Sequence, residues 1–135
     1  MTHNQNVPVA KFKENLASII NHPLVKAQSP NIILITPPPV EETDIYKTHT
    51  DGNWGGEHRK QVDAREYANA VKEVGAELSV PVLDSWKILM EKAGWKEGDD
   101  LIGLRENGRN AALGDFFYDG KFTQQSIQVG FADNS

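Results

Sequence analysis

The stretch NIILITPPPV, residues 31–40, constrains this chain's fold more than any other. Ile32 to Ile35 are four consecutive large aliphatics. That pattern suits a strand covered on both faces, as in a parallel sheet with helices on either side. Pro37, Pro38 and Pro39 have no backbone N–H and cannot donate to a ladder. Pairing must stop near Thr36, and the chain leaves the sheet as a stiff extended loop. Open α/β sheets place their ligand crevice at the carboxyl ends of parallel strands, so the prolines shape whatever lies above that end.

Around this strand the sequence alternates between helical and strand patterns. From Pro8, the positions Val9, Phe12, Leu16, Ile19 and Ile20 recur at helical spacing, with Lys11, Lys13, Glu14 and Asn15 on the other side. Proline suits a first helical turn, and His22-Pro23 closes the helix, because a residue before proline is pushed out of helical geometry. A second helix is expected over 59–78, with Ala64, Tyr67, Ala68, Val71, Val74 and Leu78 as its apolar stripe and Gly75 as a weak point. VPVLD, residues 80–84, reads as a second short buried strand. Asp84 is placed to cap a helix from Ser85 to about Ala93, with Gly94 just past its end. Trp86 and Leu89 fall on the core side of that helix. The order helix, strand, helix, strand, helix predicts α/β with a parallel sheet, yet two strands are fewer than such sheets usually hold.

Bulk properties narrow the function. At 135 residues the chain has the size of one domain. A formal charge of −5, with both signs interspersed, provides no basic stripe for nucleic acid. No window is long enough to span a membrane, and the polar start MTHNQN does not resemble a signal peptide. A cytoplasmic location is the expectation. With no cysteine, disulfides, thiolate metal sites and cysteine nucleophiles are excluded.

Three stretches together carry a family resemblance: VPVAKFKENLASIINHPLVKAQSPNIILITPPPV, AREYANAVKEVGAELSVPVLDSW and MEKAGWKEGDDL. They resemble the middle of SGNH (GDSL-type) hydrolases, and within these the isoamyl acetate-hydrolysing esterase group found in fungi. The likeness spans roughly residues 5–120 and is most specific at ITPPP and at VPVLD-x-W. It implies a three-layer αβα, flavodoxin-like sandwich, here incomplete. It also implies hydrolysis of short-chain carboxylic esters such as acetates by a Ser-His-Asp triad, without a cofactor. The implied organisation is a polar lead over 1–6, a partial SGNH hydrolase domain over 7–120 and a divergent tail over 121–135. A small-molecule ester is the implied partner, with no nucleic acid and no membrane; nothing in the sequence sets an oligomeric state.

The family's catalytic blocks do not map onto these residues. The Gly-Asp-Ser motif that supplies the nucleophile is not found, nor is the block whose glycine N–H helps hold the oxyanion. Gly-x-Asn-Asp is not found either, and Asn4 lacks both its glycine and its aspartate. In FFYDGKFT, Asp119 matches the triad aspartate, but the histidine position holds Phe122. A phenyl ring has no lone pair and cannot take a proton from a serine. Loss of triad members typically costs about 10⁴-fold or more in rate. As present chemistry, Asp119-Gly120 then reads as an ordinary turn dipeptide. Gly-Lys-Phe and Ala-Asp-Asn can be written in codons that hold a splice donor and a branch site, so residues from about Lys121 are expected to be a translated retained intron.

Other candidates are weaker. His49, Asp51, Glu57 and His58 share a long loop over 40–58 without matching a metal-ligand template. Trp54 in that loop reads as an anchor or as a ligand-facing aromatic. Neither His3 nor His22 sits in a catalytic pattern. Ser85 follows a strand but lacks the glycines of a nucleophile elbow. Gly103 and Gly108 make no phosphate loop. Three readings follow: an esterase by descent that lacks its machinery, a non-catalytic binding module using the crevice beyond Thr36, and a truncated product without function. An incomplete sheet would leave the strand at 31–36 with an uncovered edge, which invites association.

Overall fold

A computed structural model of the chain describes residues 7–45 and 60–116. The polar lead 1–6, the loop residues His49, Asp51, Trp54, Glu57 and His58, and the tail with Asp119 and Phe122 lie outside the described residues. Two compact units are present: Met1–Pro39 with Val62–Leu89, and Val40–Gln61 with Met90–Ser135.

The first unit is built on the two apolar runs. Strand β1 (Leu34–Ile35) pairs in parallel with β2 (Val82–Leu83), Leu34 opposite Val82 and Ile35 opposite Leu83. Flanking bonds extend the contact, with Leu34 N–H donating to Pro81 at 2.9 Å and Thr36 N–H to Leu83 at 3.0 Å. Both strands are shorter than their apolar runs, because Pro81 on one side and Pro37 on the other have no donor to continue the ladder.

Helix α1 (Val9–Ile20) begins after Pro8 and ends at Asn21. The second proline then starts a new helix. α2 (Pro23–Ala27) has His22 as its N-cap, and the imidazole accepts from Leu24 N–H. Pro23 terminates α1 as expected, and at the first position of α2 its missing donor costs nothing. α3 (Gln61–Leu78) follows the expected stripe, with Ala68, Val71 and Val74 buried. α1 and α3 meet where Phe12 packs edge-to-face on Tyr67, centroids 5.1 Å apart. Between them and the sheet, Ile20, Leu34, Val71 and Val74 form the core, ringed by Phe12, Leu16, Ala17, Ile32, Leu78, Val80 and Val82.

Both helices thus cover the same side of the sheet. The expectation of a strand covered on both faces is met on one face only among the described residues. Leu34 is buried, whereas Ile33, Ile35 and Leu83 are 65%, 62% and 48% exposed. The mixed helix–strand order and the small parallel sheet agree with an α/β class. None of the described helices is long and apolar enough to cross a membrane.

Gly75 explains how α3 lies so close to the strand end. A Cβ there would collide with the Val82 side chain and stand 2.9 Å from the Val80 carbonyl oxygen. Gly75's own carbonyl accepts from Val80 N–H at 2.9 Å. Glycine is therefore the residue that permits close approach, at a cost in helix propensity of about 1 kcal/mol relative to alanine. Overpacking a core typically costs about 1–3 kcal/mol, and the carbonyl cannot rotate away. Gly75→Ala is expected to destabilise the chain by up to about 2 kcal/mol net in urea unfolding; a gain in stability would show that the helix can retreat freely.

Candidate functional site

The carboxyl end of the parallel pair, where a crevice is expected, carries a compact polar cluster. Thr36 is the last residue of the ILIT run, and its side chain is buried. Its hydroxyl accepts from Trp86 N–H at 3.0 Å and reaches Asp84 Oδ1 at 3.3 Å. Ser85 Oγ donates to the Thr36 carbonyl at 2.6 Å. Thr36 Oγ1 and Ser85 Oγ are also 3.3 Å apart. Each hydroxyl has one proton; with Ser85 committed to the carbonyl and Thr36 to the carboxylate, that last approach is a close contact.

Asp84 organises the start of α4 (Ser85–Lys92). Its Oδ1 accepts from Lys87 N–H at 3.1 Å, the side-chain cap expected from sequence. Its Oδ2 lies 3.1 Å from Lys72 Nζ on α3, a half-exposed pair that adds little. Trp86, expected in the core, is buried and carries the Arg65 guanidinium 5.6 Å from its ring centre. Leu89 is half-buried.

The Ser85 hydroxyl donates its hydrogen bond to a main-chain carbonyl, and no imidazole faces it among the described residues. His22, the described histidine, caps α2. The geometry ties a strand end to a helix start; it does not activate a nucleophile. Nor does any group of three or more His, Asp or Glu suited to a metal occur among the described residues.

The second unit holds a set of polar side chains that sequence patterns did not single out. Residues 41–45 begin the stretch expected to be aperiodic loop, yet 42–45 form a helical turn. Glu41 is buried, and its carboxylate accepts from Asp44 N–H at 2.8 Å and Asn110 N–H at 3.2 Å. Glu42 accepts from Gln61 N–H at 2.8 Å and Arg105 N–H at 3.3 Å. Gln61, fully buried, accepts from Val40 N–H at 3.0 Å and donates through Nε2 to the Ile102 carbonyl at 3.0 Å and to Met90 Sδ at 3.3 Å. Two carboxylates and an amide thus satisfy the Val40 and Asp44 donors that follow three prolines, together with those of Gln61, Arg105 and Asn110.

Arg109 closes this set. Its Nε donates to Asp44 Oδ1 at 2.8 Å, and Nη2 to Asp115 Oδ1 at 3.0 Å. The hydrogen bond to Asp44, then that to Asp115, hold the guanidinium above its ordinary pKa and so firmly charged. Asn110 caps the short helix α5 (Ala111–Gly114) by accepting from Leu113 N–H. Gly103 is placed by close packing. It sits at φ +83°, and a Cβ there would meet the Val40 carbonyl at 2.6 Å and Leu113 Cδ2 at 2.7 Å. Thr43 Oγ1 is buried without a hydrogen-bond partner.

The chain is similar to GDSL esterase/lipases of Arabidopsis thaliana. One is 32% identical over 93 residues, covering 68% of this chain and 39% of the relative. A second is 29% identical over 93 residues, covering 69% and 29%; a third is 27% identical over 100 residues, covering 69% and 40%. No family model matches the chain. The chain spans about two fifths or less of the length of the curated relatives it matches. These likenesses support a GDSL-type hydrolase.

Thr36→Val keeps the shape of the side chain but removes its hydroxyl, leaving Trp86 N–H without an acceptor. Loss of one partner of a buried hydrogen bond costs about 1–3 kcal/mol, so this variant is expected to unfold at lower urea concentration. Asp84→Ala is expected to lose about 1 kcal/mol as a cap. If both match the parent chain, the cluster holds nothing together.

Proposed function

We propose that this chain is the interior of a GDSL-type ester hydrolase, supplying scaffold at the carboxyl ends of the strands, and that on its own it is catalytically incomplete. The observation that carries the reading is that its two most family-like segments, ITPPP and VLDSW, are the ones tied together by Thr36, Asp84 and Ser85 at the end of a parallel pair. In the whole protein this pair belongs to a three-layer αβα sandwich. Its substrates are short-chain carboxylic esters such as acetates, as in the fungal isoamyl acetate-hydrolysing group. The support for that narrower group is the wording of the two segments alone.

Within this reading Asp119 descends from the carboxylate that orients a catalytic histidine. With Phe122 in the histidine's place, that carboxylate has nothing to orient and no general base is available from this block. Ser85 takes no part in chemistry, because its proton is engaged by the Thr36 carbonyl. Residues from about Lys121 onward are a read-through of non-coding sequence, and the protein is cytoplasmic.

The purified 135-residue chain is expected to show no turnover of p-nitrophenyl acetate above buffer. It is likewise expected to take no covalent label from a fluorophosphonate probe, with an active serine esterase labelled in parallel. Mass spectrometry that found the phosphonate on any serine would overturn the reading.

A further inference from the structure

In the second unit, the link between the Arg105 main chain and the Arg109 side chain carries an Asn-Gly pair, Asn107-Gly108. A 3₁₀ turn spans Arg105–Asn107, and Gly108 ends it at φ +75°. Two main-chain bonds hold the turn. Asn107 N–H donates to the Leu104 carbonyl at 3.1 Å, and Gly108 N–H to the Arg105 carbonyl at 3.2 Å. Residues 105–108 are all exposed. A Cβ built on Gly108 meets no described atom within 4 Å. This glycine serves a left-handed backbone, with open space around its nitrogen.

The side-chain carbonyl carbon of an asparagine can close a five-membered ring with the next residue's main-chain nitrogen. A side chain on that next residue hinders the approach, and glycine has none. Asn-Gly occurs once in the 135 residues. The other described asparagines, Asn15, Asn21, Asn31, Asn69 and Asn110, precede Leu, His, Ile, Ala and Ala. Asn69 lies inside α3, where the helical ladder fixes the N–H that follows. Asn110 holds its side-chain carbonyl on Leu113 N–H. The Asn107 carboxamide makes no such bond among the described residues.

We propose that Asn107 is a self-modification site, which deamidates in the folded chain to isoaspartate and aspartate with water as the only co-reactant. The Gly108 main-chain nitrogen gives its proton to solvent base and attacks Asn107 Cγ. A bond forms between them, the Cγ–Nδ2 bond breaks, and ammonia leaves. Water then opens the cyclic imide. Cleavage between Gly108 N and Cγ gives aspartate. Cleavage between Gly108 N and the Asn107 main-chain carbonyl carbon gives isoaspartate, whose chain runs on through Cβ and Cγ. The fold must open one bond for this, from Gly108 N–H to Arg105, in an exposed three-residue turn of the kind that opens locally.

Both products put a carboxylate beside Glu106, and isoaspartate also lengthens the main chain by one carbon. The link is held at both ends. Arg105 N–H donates to Glu42 at 3.3 Å, Arg109 grips Asp44 and Asp115, and Asn110 N–H donates to Glu41 at 3.2 Å. The extra carbon is taken up at the longest of these bonds, so Arg105 N–H leaves Glu42. Charge alone does not have this effect. The modification does not depend on the esterase reading.

The test incubates the full 135-residue chain at neutral and mildly alkaline pH, folded and in urea, with folding followed by tryptophan fluorescence. Peptide mapping by mass spectrometry reads the exchange of NH₂ for OH at each asparagine, and electron-transfer fragmentation separates isoaspartate from aspartate. Asn107 is expected to react before the other described asparagines, with isoaspartate in excess. Alkaline pH is expected to speed the reaction, because the attacking nitrogen must shed its proton. The folded chain is expected to react within about tenfold of the rate in urea, as suits a turn that opens locally. Amide hydrogen exchange at Arg105 is expected to quicken in the isoaspartyl chain but not in Asn107→Asp, which carries the charge without the extra carbon. Asn107→Gln would need a six-membered ring; it is expected to stop the reaction at this position and leave the melting curve unchanged. A folded-state rate below that tenfold range overturns the proposal, as does another described asparagine that reacts first. Arg105 exchange that is the same in the isoaspartyl and parent chains overturns the coupling to Glu42.

Discussion

One hydroxyl, that of Thr36, organises the end of the parallel pair. It is the last side chain before three prolines and the first polar one after four aliphatics. From there it accepts from the Trp86 N–H and contacts the Asp84 carboxylate, while the Thr36 carbonyl accepts the Ser85 hydrogen bond. A strand that stops at proline leaves its final polar groups without a ladder. The residues following the second strand satisfy them, and the start of α4 is thereby fixed beside the end of β1. This constraint also decides what Ser85 is. A serine after a strand invites a catalytic reading, but its proton is already spoken for by a main-chain acceptor.

The second unit answers the same difficulty by other means. After the prolines, the N–H groups of Val40, Asp44 and their surroundings find acceptors in side chains: Gln61, Glu41 and Glu42. Buried carboxylates are costly unless their oxygens are hydrogen-bonded. Here buried Glu41 and half-buried Glu42 each accept from two main-chain donors. They act as substitutes for secondary structure, and that accounts for acidic side chains at EE directly after an apolar segment.

Much of this was legible in the sequence. The helical stripe on α3, the parallel pair, the Asp84 cap and the buried Trp86 all follow from period, proline placement and capping chemistry. These are local signals, readable within a few residues. α2 was not anticipated, because five residues are too few to show a period and the cap depends on which way the His22 ring turns. The contacts of Glu41, Glu42 and Asp44 with residues above 100 link positions some sixty apart, and no pattern in one sequence announces such partners. The apolar run at 32–35 was read as covered on both sides. Among the described residues the alternation of burial along β1 shows cover on one side, which composition could not reveal. As for the expected catalytic residues, Asp119 and Phe122 rest on the family resemblance and lie outside the described residues.

Gln61 gives the second unit an unusual chemical sensitivity. Its amide uses both ends, accepting from one main-chain N–H and donating to a carbonyl and a thioether in a site closed to solvent. Hydrolysis of that single amide to an acid would exchange an NH₂ for an oxygen of identical size. Ionised, the new group would set lone pair against lone pair at the Ile102 carbonyl; protonated, it could still serve one acceptor but never two. The position thus reads the difference between glutamine and glutamate, two side chains that shape alone does not distinguish, and the change would be felt at the Ile102 carbonyl and the Met90 thioether rather than as a change of size.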